Sequence, residues 1–178
     1  MGLIDKLCNK LLNKLLIYQE HLPPQDVIFY FLKLIIHNLI TIMLILITGI
    51  SFDVLNKIIL SAIAFAVLRT FAGGRHIKSS EICILASVLM LLFISLFSHY
   101  IANYITYVNI LTLSLTVTFS PLVTIKKKLL SKKKKLHLKV VSITLVLTSF
   151  YLNNIYIAIS FLIEALLLIS MKGGEKDE

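Results

Sequence analysis

Two residues of this sequence have types and spacing suited to covalent chemistry: His76 and Cys83. Both lie in Leu68–Ala86, LRTFAGGRHIKSSEICILA. Gly73-Gly74 breaks the preceding helix, because glycine reaches backbone angles that other residues avoid. Arg75-His76-Ile77-Lys78 forms a basic loop, and Ser79 and Ser80 are good N-caps for the next helix. Cys83 then falls in that helix's first turn, where exposed N–H groups and the positive end of the helix dipole favour a thiolate. On one straight helix the two side chains would lie about 10 Å apart, too far for direct proton transfer. Because His76 precedes the cap, it can fold back over the helix start. A histidine that takes the proton of a cysteine is the activation scheme of a cysteine nucleophile. The plainer alternative is a packing cysteine beside a solvated histidine.

The elements that must position this loop are membrane helices. The chain has 178 residues, of which 58% are hydrophobic and 15% charged, and its mean hydropathy is +0.92. A soluble domain of this size could not hide that much apolar surface. Gly2–Tyr18 lacks the continuous apolar run of a signal peptide. Its apolar residues recur at helical spacing against Asp5, Lys6, Asn9, Lys10, Asn13 and Lys14, which predicts an amphipathic helix over 2–18 lying in the membrane interface. Pro23-Pro24 ends it. Apolar stretches then run over 27–50, 54–72, 82–98 and 101–119, the last closed by Pro121. Leu138–Ser170 is too long for one span of about 20 residues. Asn153-Asn154 divides it into 138–152 and 155–170, with a basic loop over 121–137. The expected fold is a single all-α membrane domain, 1–178, with about six transmembrane helices plus the interfacial one.

Charge orients that arrangement. The formal net charge is +9. With the N-terminus inside, sixteen of the eighteen Lys and Arg residues fall in cytoplasmic segments, leaving Lys57 near an outer loop and Lys33 within the first span. That asymmetry satisfies the positive-inside rule and predicts a multi-pass membrane protein with both termini and the 73–80 loop cytoplasmic. The same rule accounts for the lysine tract without nucleic acid. There is no metal-ligand spacing, no phosphate-binding glycine motif and no other cofactor signature, and Cys8 and Cys83 read as free thiols.

The stretch Arg69-x3-Gly73-Gly74-x-His76-x6-Cys83, in a small polytopic chain with an amphipathic start and a lysine cluster after a proline, resembles the accessory gene regulator B (AgrB-like) family. These are quorum-sensing membrane endopeptidases found in the bacterial cell membrane. The resemblance implies a cysteine endopeptidase that cuts an AgrD-like precursor peptide near its C-terminal end. Cys83 matches the family's nucleophile, which forms an acyl-enzyme thioester. His76 matches its general base and acid. A nucleophile within the peptide then attacks the thioester and releases a cyclic thiolactone or lactone. Arg69 and Gly74 match further functional positions: Arg69 would bind a substrate carboxylate or shape the site, and Gly73, Gly74 and Arg75 would set the loop. The family also forms dimers, so a homodimer is expected.

Other polar residues admit two readings each. Lys126, Lys127 and Lys128, with Lys132–Lys135, act as topology determinants and headgroup contacts, or also as a dock for an acidic peptide tail. Glu164 lies in the last span, where an acid is a functional candidate by default, or bonds to a neighbouring helix. Lys33 and His37 share a face of the first span; Lys33 can snorkel to the cytoplasmic surface. The rival functions are a small transporter or peptide exporter built on Glu164, Lys33 and His37, and a membrane adaptor that uses its lysines.

Overall fold

A computed structural model of the protein describes residues 2–18, 24–73, 80–121 and 131–172. Among these, the regular structure is entirely helical: α1 (Leu3–Tyr18), α2 (Gln25–Ser51), α3 (Leu55–Ala72), α4 (Ser80–Phe97), a 3-10 helix (Ser98–Tyr104), α5 (Ile105–Phe119), α6 (Lys132–Leu152) and α7 (Ile155–Lys172). Four stretches are long and apolar enough to cross a membrane: Gln25–Ser51, Leu55–Ala72, Ser80–Phe119 and Lys132–Leu152. Ile155–Ile169 is a shorter apolar helix. This is a membrane protein. Its outward surface fits lipid rather than water: Ile82, Leu85, Leu89 and Phe93 form one exposed row on α4, while Ile84, Val88, Leu91 and Ile94 are buried on the other side.

Two boundaries differ from the expected ones by more than two residues. The helix after the lysine tract begins at Lys132, not at 138, so Lys132–Lys135 form its exposed first turn rather than a loop. Hydropathy marks those lysines as solvent-facing, but lysine is a good helix former and stays hydrated on a protruding turn. Residues 98–104, expected partly as span, form the 3-10 helix. His99, Tyr100 and Tyr104 are exposed there, and a polar aromatic run suits a tight connector better than a lipid-facing helix.

Connections between neighbouring helices follow residue chemistry. Asn153 takes the left-handed conformation that asparagine tolerates, φ 46°, and ends α6. The Asn154 side-chain oxygen accepts the N–H groups of Tyr156 (3.0 Å) and Ile157 (3.4 Å), capping α7. At the α2–α3 turn, Gly49 is buried, and a Cβ there would lie 2.8 Å from Ile58 and 3.0 Å from Leu55.

α3 divides the molecule. On one side Ala64, Leu68 and Ala72 pack with Val146 of α6 and with Phe161 and Leu168 of α7. On the other, α2 and α4 pack together with Phe65, and Ile4 and Cys8 of α1 join that cluster. α1 is fixed to α2 by Lys33, whose Nζ donates to Asp5 Oδ1 at 2.6 Å. Lys33 therefore has an anionic partner on α1, where sequence suggested snorkelling. The hydrogen bond from Lys33 holds the Asp5 carboxyl below its ordinary value, against the opposing effect of burial. α1 keeps Leu7, Leu11 and Leu15 exposed while burying Ile4, Cys8 and Leu12.

Candidate functional site

A cavity of about 480 Å³ lies between α2, α3 and α4. Helical periodicity selects its walls. Cys83, Ser87 and Leu91 of α4 stand at successive intervals of four and so share a face. α3 contributes Ala62, Phe65, Ala66 and Arg69, spaced by three and four. α2 contributes His37, Asn38 and Thr41, with Ile45 one turn beyond. The cavity is thus polar on α2 and at the Arg69–Cys83 end, and apolar where Ala62, Phe65 and Leu91 meet.

Cys83 is the fourth residue of α4, within the first turn expected for it, and is buried as a free thiol. Arg69 sits near the end of α3 and borders the same cavity. Its guanidinium Cζ lies 5.6 Å from the centre of the Phe65 ring, a cation–π contact. Behind it, Nη1 is 3.7 Å from Glu164 Oε2 of α7. The Glu164 side chain is 1% exposed and the Arg69 side chain 23%. Neither Glu164 oxygen accepts a hydrogen bond among the described residues, so the ion pair is its electrostatic anchor. Glu164 therefore reaches the site through Arg69 and does not line the cavity.

Gly73 ends α3 at φ 80°, a left-handed backbone that favours glycine, and its N–H donates to the Arg69 carbonyl at 3.1 Å. The structure thus brings Cys83 and Arg69 to one cavity and places Gly73 at the helix end beside Arg69. Gly74, Arg75, His76 and Lys126, Lys127 and Lys128 lie outside the described residues. Glu81, next to the helix start, lies against Gly2 at the beginning of α1.

Sequence reasoning singled out none of Asn38, Thr41 and Ser87, and gave His37 a face shared with Lys33 and a place in the transporter alternative. The available signal was that His37, Asn38 and Thr41 are the polar residues between Leu34 and Ile47 of an otherwise apolar helix. The other cysteine, on α1, does not border this cavity. Cys8 is 0% exposed, and burial, together with Asp5, pushes its thiol up from the ordinary value.

Comparison with known proteins gives one assignment. The family model described as accessory gene regulator B matches residues 4–171, nearly the whole chain. No curated protein and no solved structure matches it.

Proposed function

The chain belongs to the accessory gene regulator B family, and on that premise we propose that it is a membrane cysteine endopeptidase acting on an AgrD-type precursor peptide. Membership supports a role in the agr quorum-sensing system; the family is generally described as a cysteine-protease-like processing protein acting with that peptide. The observation that carries the finer reading is Cys83, in the first turn of α4, facing one cavity with Arg69.

In this reading His76 takes the Cys83 proton and the thiolate Sγ attacks the scissile carbonyl. The S–C bond forms, the C–N bond breaks, and the departing amine takes the proton from His76. The peptide's own cysteine thiol, or a serine hydroxyl, then attacks the thioester and loses its proton to His76. The new ring bond forms, and Cys83 leaves and recovers the proton as a thiol. The product is a thiolactone or lactone rather than a hydrolysed acid, which requires that water be kept from the thioester. The apolar side of the cavity, Phe65, Ala66 and Leu91, supports that requirement. Arg69, backed by Glu164, supplies positive charge for a substrate carboxylate or for the carbonyl oxygen as it becomes negative. Gly73, Gly74 and Arg75 set the loop that carries His76.

The same reading gives six crossings, with Ser80–Phe119 folding back as two and α7 as the last. α1 lies in the interface with Leu7, Leu11 and Leu15 toward lipid. Both termini and the Cys83 end of the cavity face the cytoplasm, where Lys126–Lys128 and Lys132–Lys135 meet anionic headgroups and receive an acidic peptide tail. Two copies form a dimer. The decisive experiment is reconstitution in lipid vesicles with the precursor. Cys83→Ala and His76→Ala are each expected to remove cleavage below detection; cleavage persisting in either variant overturns the endopeptidase scheme.

A further inference from the structure

The acyl-transfer scheme uses Cys83 and Arg69 but leaves the α2 wall of their cavity without a role. That wall carries His37, Asn38 and Thr41, the polar side chains between Leu34 and Ile47, and all three border the cavity that Cys83 borders. A polar side chain in the middle of a membrane helix is costly and faces a partner, a cavity or a pathway. Here all three border the cavity, Asn38 exposed and His37 and Thr41 half-buried. The Thr41 hydroxyl donates to the His37 carbonyl at 2.8 Å, which keeps its oxygen lone pairs available as acceptors. The Asn38 amide offers two donors and one acceptor. Across the cavity Ala62, Phe65 and Leu91 offer apolar surface, with Ser87 of α4 beside them and Ile42 and Ile45 of α2 also in the lining.

This two-sided lining matches one kind of ligand. An extended peptide presents backbone N–H and C=O groups along its edges and side chains to alternate faces. Brought into a membrane cavity, every backbone group without a partner costs free energy, because lipid cannot replace water there. A lipid chain would need no polar strip, and a small cation would need no apolar wall. The volume, about 480 Å³, lies within the usual range for ligand pockets.

We propose that Asn38 and Thr41 of α2 form a peptide-backbone binding site opposite Cys83, which holds the substrate segment next to the scissile bond by its main chain while the Ala62–Phe65–Leu91 wall takes an apolar side chain. The proposal rests on the reading of Cys83 as the acylating group. Asn38 and Thr41 position the substrate and exchange no proton with it.

The test uses the full chain in lipid vesicles with a synthetic, fluorophore-labelled AgrD-type precursor. Asn38→Leu with Thr41→Val makes α2 more apolar, so insertion is preserved. Each lost hydrogen bond is expected to raise KM by up to about tenfold, with a smaller change in kcat. Binding is measured separately on a Cys83→Ala background, where the peptide is held uncut. There a single backbone N-methyl group, scanned along the precursor, is expected to weaken binding about tenfold at one position, and that penalty disappears when Asn38 is leucine. An unchanged KM in the double variant, or an N-methyl profile that Asn38→Leu leaves intact, overturns the proposal. The two readings fail differently. If Cys83→Ala still cleaves, the acyl-enzyme scheme is lost. If Cys83→Ala is inactive but Asn38→Leu/Thr41→Val binds and cleaves normally, the backbone site is lost and the scheme stands.

Discussion

The two sides of α3 treat polar groups differently. Toward α5, α6 and α7 most of the buried hydroxyls are taken up in hydrogen bonds within the packing. The Ser149 hydroxyl of α6 donates to Asn109 Oδ1 of α5 at 2.9 Å in the interior. Thr112, Thr116 and Ser160 donate to carbonyls one turn back in their own helices. Small residues such as Ala158 and Ala165, both 0% exposed, let the helix backbones approach closely. Toward α2 and α4 the polar side chains include His37, Asn38 and Arg69 beside the smaller Thr41, Cys83 and Ser87, and they border an open space. The packed side is built for contact between helices, and the cavity side is built to receive something. Glu164 is where the two meet, an acid of the packed side whose partner is an arginine of the cavity side.

Perturbing this contrast should produce graded effects. The largest is expected at the junction. Arg69→Ala leaves the Glu164 carboxyl, 1% exposed, without its charged partner and should cost about 3–5 kcal/mol, read as thermal unfolding in detergent. A loss below about 1 kcal/mol would mean that the pair does not join the two sides.

Next come matched enlargements. Ala165→Leu overfills the packed side and should cost about 1–3 kcal/mol. Ala66→Leu extends into the cavity, so unfolding should barely change while precursor cleavage falls. Equal destabilisation by the two would erase the distinction.

Ser149→Ala removes an interhelical hydrogen bond on the packed side, for an expected loss of about 0.6 kcal/mol. The smallest effect concerns α1. The Asp5 carboxyl has a lowered pKa because Lys33 donates to it, so the stability it adds is present above the unfolded value, about 4. It is lost as pH falls through the lowered folded value. Asp5→Asn should flatten that acid-side dependence and leave stability at neutral pH little altered, since a partly exposed pair contributes little.

Legibility in the sequence followed the range of the interaction. The Asn153-Asn154 break follows from residues that tolerate left-handed backbone and cap helices. The position of Cys83 in a first helical turn follows from Ser80 and the glycines before it. Arg69 and Cys83 sit near the facing ends of consecutive helices, so their meeting follows from topology. Other features depend on packing that no local pattern encodes. Which face of α2 would turn to Cys83 is decided by how α2 sits against α3 and α4. That Glu164 would find Arg69 is decided by the contact of α7 with α3. The early start of α6 at Lys132 was hidden for a different reason: hydropathy records the charge of lysine, not its willingness to be helical.

Gly49 has a consequence well away from its own surroundings. α2 and α3 approach tightly there, where the absence of a side chain lets one backbone rest on Leu55 and Ile58 of the other. The cavity begins one turn from this contact, at Ile45 and Ala62, and runs between the two helices toward His37 and Arg69. Two rods held together at one end behave like a pair of compasses: a small spacer at the pivot opens the points by a larger amount. A methyl group at position 49 therefore acts as such a spacer, altering the gap between Arg69 and the α2 wall without touching either. The bore of the site is set in part by the thinnest residue at the far end of the hairpin.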